Sequence, residues 1–147
     1  MCSSDLNNNA PFDHLEIFIR PNTKETYIYN NLIYISDKAK LKIDTRNDGT
    51  MNDWKNNLFF GNLVIDGASD YEHNGTELFT NPMLVNPGGT TANDYKLQST
   101  SPALGTGYII NGSDDVKNYI QNNGGRDYFG NSVSSNSKPN IGAYNGN

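Results

Sequence analysis

The sequence predicts an all-β protein made by stacking short coils of chain, and three observations lead there. Of 147 residues, 24 are asparagine and 14 glycine, against 11 lysine plus arginine. A chain so rich in turn formers and poor in helix formers does not make a helical bundle or a coiled coil. Two segments repeat at an offset of 26 residues: Tyr27-Ile28-Tyr29-Asn30-Asn31-Leu32-Ile33-Tyr34-Ile35 and Asp53-Trp54-Lys55-Asn56-Asn57-Leu58-Phe59-Phe60-Gly61. Each copy follows one physical plan, a short β-prone run, two asparagines, then a second short β-prone run. Asparagine tolerates the left-handed backbone region better than other non-glycine residues, so the pair bends the chain sharply. If a coil of roughly 20 to 27 residues carries three short strands, the next coil lies on it at about 4.8 Å and equivalent positions stack. Asparagine then lies over asparagine, with amides hydrogen-bonded along the ladder. Ile28 over Trp54 and Ile33 over Phe59 are the expected interior pairs, and Tyr29 over Lys55 is expected to face out.

Composition sets the outer limits. Leu, Ile, Val and Phe number 31 of 147, about a fifth, which is low, but nine Tyr and one Trp supply bulk for one domain. No apolar run approaches the roughly 20 residues of a membrane span, and a net charge of −5 offers no basic stripe for nucleic acid. Cys2 is the only cysteine, which excludes a disulfide framework and a thiolate metal site.

Taken in order, residues 1–9 are expected to be a non-native or disordered leader. Met1 to Leu6 lacks the charged and apolar regions of a signal peptide, and Cys2-Ser3-Ser4-Asp5-Leu6 resembles the translation of a sequencing-library adapter. Residues 10–87 are read as the terminal coils, with further strands at Leu15 to Ile19, Leu41 to Ile43 and Leu63 to Ile65. Residues 88–147 are read as a C-terminal cap of the same domain. Pro82, Pro87, Pro102 and Pro139, with Gly88-Gly89 and Gly124-Gly125, make the second half loop-rich, with short strands around Met83 to Val85, Tyr95 to Leu97 and Ile141 to Tyr144. Ser101 to Leu104 reads as a turn seating Leu104 on the last coil. One short helix is expected at Ser113 to Gln121, with Ser113 as N-cap, Asp114 and Asp115 in the first turn, and Val116, Tyr119 and Ile120 on one face. A solenoid's last coil exposes its apolar interior, so this helix and the surrounding loops are expected to lie over the open end.

The NNLIY and NNLFF runs resemble rungs of right-handed parallel β-helix proteins, the pectate-lyase-like superfold. The second half sharpens the resemblance. Thr80-Asn81-Pro82-Met83-Leu84-Val85, Tyr95-Lys96-Leu97 followed by Ser101-Pro102-Ala103-Leu104, Arg126-Asp127-Tyr128-Phe129-Gly130-Asn131, and Ile141-Gly142-Ala143-Tyr144 occur in the order of the C-terminal motifs of many bacterial β-helix proteins. Asn145 stands where that pattern has Glu. The resemblance covers roughly residues 26 to 145. It implies a right-handed parallel β-helix, truncated, whose upstream coils belong to a longer parent chain. It further implies an extracellular, periplasmic or cell-surface protein of polysaccharide lyase or glycoside hydrolase type, with a polysaccharide or glycan as partner. A non-catalytic surface solenoid, an adhesin or glycan-binding scaffold, is the alternative.

Chemistry-bearing residues are sparse. His14 and His73 are the only histidines, and no Gly-x-Ser-x-Gly elbow presents a nucleophile. The resemblance implies a Lys or Arg proton abstractor in an outer groove, with carboxylates holding calcium against uronates in the parent protein. Lys42, Asp44 and Arg46 are of the right types and alternate along one strand, followed by Asp48. Asp70, Glu72, His73 and Glu77 are an oxygen-rich set for a hard cation, or a solvated loop around Asn74-Gly75-Thr76. Asp53 and Lys55 read as solvated flanks of a rung, and Arg126 with Asp127 as a charge pair locking a cap loop. Tyr29, Tyr34 and Phe60 are exposed-aromatic candidates for stacking on sugar rings, or covers for a neighbouring coil.

Overall fold

A computed structural model describes residues 15–18, 26–35, 41–44, 53–61, 63–66, 76–110 and 125–146. Its elements are strands β1 (Leu15–Phe18), β2 (Tyr27–Tyr29), β3 (Leu32–Tyr34), β4 (Leu41–Asp44), β5 (Asp53–Lys55), β6 (Leu58–Phe60), β7 (Leu63–Asp66) and β8 (Leu78–Phe79), then one 3₁₀ turn, Ala92–Tyr95. The regular structure of the described chain is therefore nearly all strand, with almost no helix. The helix expected at Ser113 to Gln121 lies outside the described residues, as does the leader 1–9. Among the described residues no helix is long and apolar enough to cross a membrane.

Three parallel sheets organise these strands, in the orders β1-β4-β7, β2-β5 and β3-β6-β8. Each neighbour comes from a later pass of the chain, because a parallel partner cannot be reached through a tight hairpin. The expected pairs are met residue for residue: Ile28 beside Trp54, Tyr29 beside Lys55, Leu32 beside Leu58 and Ile33 beside Phe59. The following pass is shorter, Leu41 pairing with Leu63 and Leu58 with Leu78.

The two asparagines of each bend do different work. Asn30 and Asn56 adopt left-handed backbone, with φ of 58° and 51°, and so turn β2 into β3 and β5 into β6. Asn31 and Asn57 turn into the protein, where Asn57 is fully buried. Asn57 Oδ1 accepts from the Asn31 backbone N–H at 3.0 Å and from Asn31 Nδ2 at 2.9 Å, while Asn57 Nδ2 donates to the Ile28 carbonyl at 2.8 Å. Leu58 N–H then bonds Asn31 O and Leu78 N–H bonds Asn57 O, both at 2.8 Å, so the bends stack in the same register as the strands.

Alternation along β3 and β6 buries both faces. On one face Ile33 and Phe59 are buried, and Phe59 stacks on Phe79 with centroids 5.6 Å apart. On the other face Leu32 and Leu58 join Leu84, Leu97, Ala103 and Ile141 in a core, flanked by Tyr34, Phe60, Leu78, Tyr95, Leu104 and Tyr144. The C-terminal half thus lies along a sheet face. Phe79, last ring of the opposite stack, is 60% exposed. The tail lies along the other face because Leu32, Leu58 and Leu78 make an apolar stripe there, and the tail covers it.

The tail holds its shape through turns rather than the expected strands. Leu84 and Leu97 form only an isolated antiparallel bridge. Met83 with φ of 54° interrupts extended backbone in the first of the expected strands, and Gly142 with φ of 100° does so in the third. Gly142 also lies against β3, where a Cβ would come 3.0 Å from that of Leu32. The expected turn at Ser101 to Leu104 is present. Buried Ser101 donates from Oγ to Pro82 O at 2.6 Å and accepts from Ala103 N–H at 3.1 Å, and Ile141 N–H reaches Ala103 O at 2.9 Å. Asp127 is not paired with Arg126 as expected. Arg126 donates to Gly130 O at 2.7 Å, and the Asp127 carboxylate accepts the N–H groups of Phe129, Asn131 and Asn145 and the Asn131 amide. Burial pushes the Asp127 pKa up, but these donors outweigh it and hold the carboxyl below its usual range.

Replacing Asn57 with Ala strips three hydrogen bonds and strands the Asn31 N–H in the interior, an expected loss of about 2–4 kcal/mol in urea unfolding. Asn56→Ala should cost about 1–2 kcal/mol more than Asn56→Gly, since both lose the amide and only alanine is strained in the left-handed region. Asp127, whose folded pKa is depressed, contributes stability that is present above the unfolded carboxylate value of about 4 and lost as pH falls through the folded one. Asp127→Asn should be the less stable protein at neutral pH, and its gap from wild type should close in melts taken progressively below about pH 4.

Candidate functional site

Three-residue strands with a left-handed bend behind them present alternate side chains on opposite faces. In β2 and β5 the middle residues, Ile28 and Trp54, turn inward, Trp54 with no exposed surface. Tyr27, Tyr29, Asp53 and Lys55 consequently share the other face, Tyr27 in register with Asp53 and Tyr29 with Lys55. The tail adds a fifth side chain. Asn30 Oδ1 accepts from Tyr108 N–H at 2.6 Å and Asn30 Nδ2 donates to Tyr108 O at 2.9 Å, while Asn56 Nδ2 donates to Thr106 O at 2.7 Å. The outward amides of the two bends therefore grip the tail across successive passes and set the Tyr108 ring on Tyr29, 5.1 Å away and edge-on.

Asp53 is the hub of this cluster. Its Oδ2 accepts from the Tyr29 hydroxyl and from Lys55 Nζ, each at 2.5 Å. The Lys55 ammonium also lies 5.3 Å from the Tyr29 ring centroid and 4.8 Å from that of Tyr108, within cation–π range. Burial, then the hydrogen bond to Asp53, push the Tyr29 phenol well above its ordinary pKa. Burial alone would raise Asp53, but the bonds from Lys55 and Tyr29 hold it below the usual range. The bond to Asp53 raises Lys55 against a smaller opposing effect of burial. Around neutral pH, Tyr29 and Lys55 both carry their protons and Asp53 is ionised, a locally neutral group without a free strong base.

Of the residues expected to carry catalysis or a metal, those described lie outside the two strands of this cluster. Lys42 and Asp44 lie in β4, Lys42 in register with Leu15 and Val64, Asp44 with Phe18 and Asp66. Arg46, Asp48, Asp70, Glu72 and His73 lie outside the described residues. Glu77 precedes Leu78, the partner of Leu58, and so occupies the register position of Asn57 in the column of bends. Among the described residues no three His, Cys, Asp or Glu side chains come together as a metal site. Tyr34 and Phe60, expected exposed, are half-buried against the tail, which supports their other reading as covering residues. Asp53 and Lys55 are joined in an ion pair. The strand alternation that puts positions 53 and 55 on one face was the available signal, whereas Tyr108 lies in a non-repeating segment with no periodicity to reveal it. No family model, curated protein or solved structure matches the chain.

The proton held by Tyr29 contributes to stability below the ordinary phenol value of about 10 and that contribution is lost as pH rises beyond it. In a spectrophotometric tyrosinate titration, Asp53→Asn should move the Tyr29 transition down toward the ordinary range without reaching it, since burial, the larger cause of its elevation, remains. Unchanged tyrosinate curves would show that Asp53 does not control Tyr29.

Proposed function

We propose that this chain is the C-terminal part of a right-handed parallel β-helix protein that acts on or binds polysaccharide outside the cytoplasm. In this reading residues 15–79 are terminal coils, and the remainder is a covering tail that seals the outward apolar stripe. The supporting observation is the in-register parallel stacking of successive passes, with Asn31 and Asn57 bonded directly across the 26-residue step. Three sheets of short parallel strands, a sharp asparagine bend between two of them and a buried amide ladder are what such a coil requires. The order of tail motifs noted in the sequence supports the same architecture, and the carbohydrate class rests on that resemblance.

A scaffold role fits this piece better than a catalytic one. An elimination reaction needs a basic side chain able to take a proton from carbon. In the described outward cluster, Lys55 is protonated and paired with Asp53, and the Tyr29 phenol is held protonated. If the parent chain is an enzyme, its reacting groups belong to positions such as Lys42, Asp44 and Arg46 and any calcium to carboxylates such as Asp70, Glu72 and Glu77, or both to upstream coils. Affinity electrophoresis through gels containing soluble plant and bacterial polysaccharides should retard this chain in at least one of them. The same mixtures, followed for unsaturated products and new reducing ends, should show neither. Product release by this chain would overturn the scaffold assignment, and unretarded migration in every gel would overturn the carbohydrate partner.

A further inference from the structure

We propose that the outward face of β2 and β5 is a subsite for an uncharged pyranose unit, with Tyr27 as the stacking ring and Asp53 as the hydroxyl acceptor. The inference rests on the carbohydrate reading above and names the class of sugar and the residues that take it. The rings of the cluster are not equivalent. Tyr29 is already occupied, with Tyr108 edge-on at 5.1 Å and the Lys55 ammonium at 5.3 Å from its centroid. Tyr108 carries the same ammonium at 4.8 Å and is pinned through its backbone by Asn30. Tyr27 is tilted 56° from Tyr29, with centroids 5.7 Å apart, and is 53% exposed. It offers a flat apolar surface held from behind by its neighbour, suited to the C–H face of one sugar ring and not to a ribbon lying across several.

The polar partner is set by strand register. Asp53 pairs directly with Tyr27 across β2 and β5, so the two side chains leave the sheet as neighbours on one face. Tyr29 and Lys55 both bond Oδ2, which fixes the carboxylate's orientation and leaves Oδ1 as an acceptor for sugar hydroxyls. Charge decides between neutral sugars and uronates. The single cation of the cluster is neutralised by Asp53, and a uronate would have to break that pair or bring its carboxylate beside Oδ1. The chain's net charge of −5 adds to the penalty. A pyranose with free equatorial hydroxyls meets neither obstacle.

Saturation-transfer and shift-perturbation NMR on the full chain, with cellotetraose, xylotetraose and tetragalacturonate as probes, tests this. At least one neutral tetrasaccharide should bind more tightly than tetragalacturonate. Tyr27→Ala should weaken it about tenfold or more, and Tyr27→Phe should retain it within about twofold. Asp53→Asn should weaken binding also, and thermal melts should show each Tyr27 variant folded, since that ring is largely outside the core. Tighter binding of tetragalacturonate would overturn the neutral-sugar assignment. Wild-type affinity in Tyr27→Ala would overturn the subsite while leaving the carbohydrate reading intact. Binding of none of the probes would overturn the subsite, and the gel assay would then decide the broader reading independently.

Discussion

The bond from one asparagine amide to the next, Asn31 to Asn57, is the constraint on which the described structure depends. A chain that turns sharply between two buried strands must place backbone N–H and C=O groups where neither strand can reach them, and leaving them unpaired is costly. Asn57 answers this with one side chain, accepting the Asn31 N–H and donating to the Ile28 carbonyl. Since the amide repeats at the same place in the next pass, satisfying one bend also fixes its height relative to its neighbour. Register follows. Once Asn31 lies over Asn57, Leu32 must lie over Leu58 and Tyr29 over Lys55, and a one-residue slip would turn each buried side chain to the opposite face.

The companion residues, Asn30 and Asn56, carry the consequence outward. Their left-handed backbone turns the side-chain amides to the exterior, where they bond Tyr108 and Thr106 of the tail. Together with the Leu32, Leu58, Ala103 and Ile141 core, these bonds fix the tail along the sheet. The tail in turn supplies Tyr108 to the cluster around Asp53. Bend, tail and outward face are thus one connected arrangement, with asparagine amides at both junctions.

Much of this was legible in the sequence because it repeats. The 26-residue offset yielded the partners of β2 and β3, the amide ladder, the inward Trp54 and Phe59, and the outward Tyr29–Lys55 pair. Strands β1, β4 and β7 were found from short β-prone runs alone. The tail was harder, since its fold comes from unique contacts. Nothing in Met83 or Gly142 by itself shows that positive φ will break an extended run, and a proline- and glycine-rich segment does not name the sheet face it packs against. Asp127 read as half of an ion pair because Arg126 adjoins it, but a loop closing on itself offers backbone N–H groups nearer than the guanidinium. In the cluster, Asp53 and Lys55 looked solvated because sequence shows charge without the phenol from the neighbouring pass that completes the set.

Where the tail lies also decides which outward aromatic rings stay exposed. Aromatic residues occur on the non-interior faces of two sheets, Tyr34 and Phe60 on β3-β6 and Tyr27 and Tyr29 on β2-β5. The first pair is packed under the tail, its rings 5.5 Å apart and its neighbours drawn from residues 84 to 144. The composition that suggested stacking rings on either sheet is therefore resolved by packing, because the larger continuous apolar stripe is the one most costly to leave in water. On the β2-β5 face the described tail sets Tyr108 against Tyr29 and Lys55 and leaves Tyr27 53% exposed. The rings there adjoin an ionised pair, and a protein segment laid further over them would have to desolvate Asp53 and Lys55 together. In the proposed subsite a sugar ring would bring its own hydroxyls to that pair and its C–H face to Tyr27, satisfying the surface at a lower desolvation cost than a chain segment would.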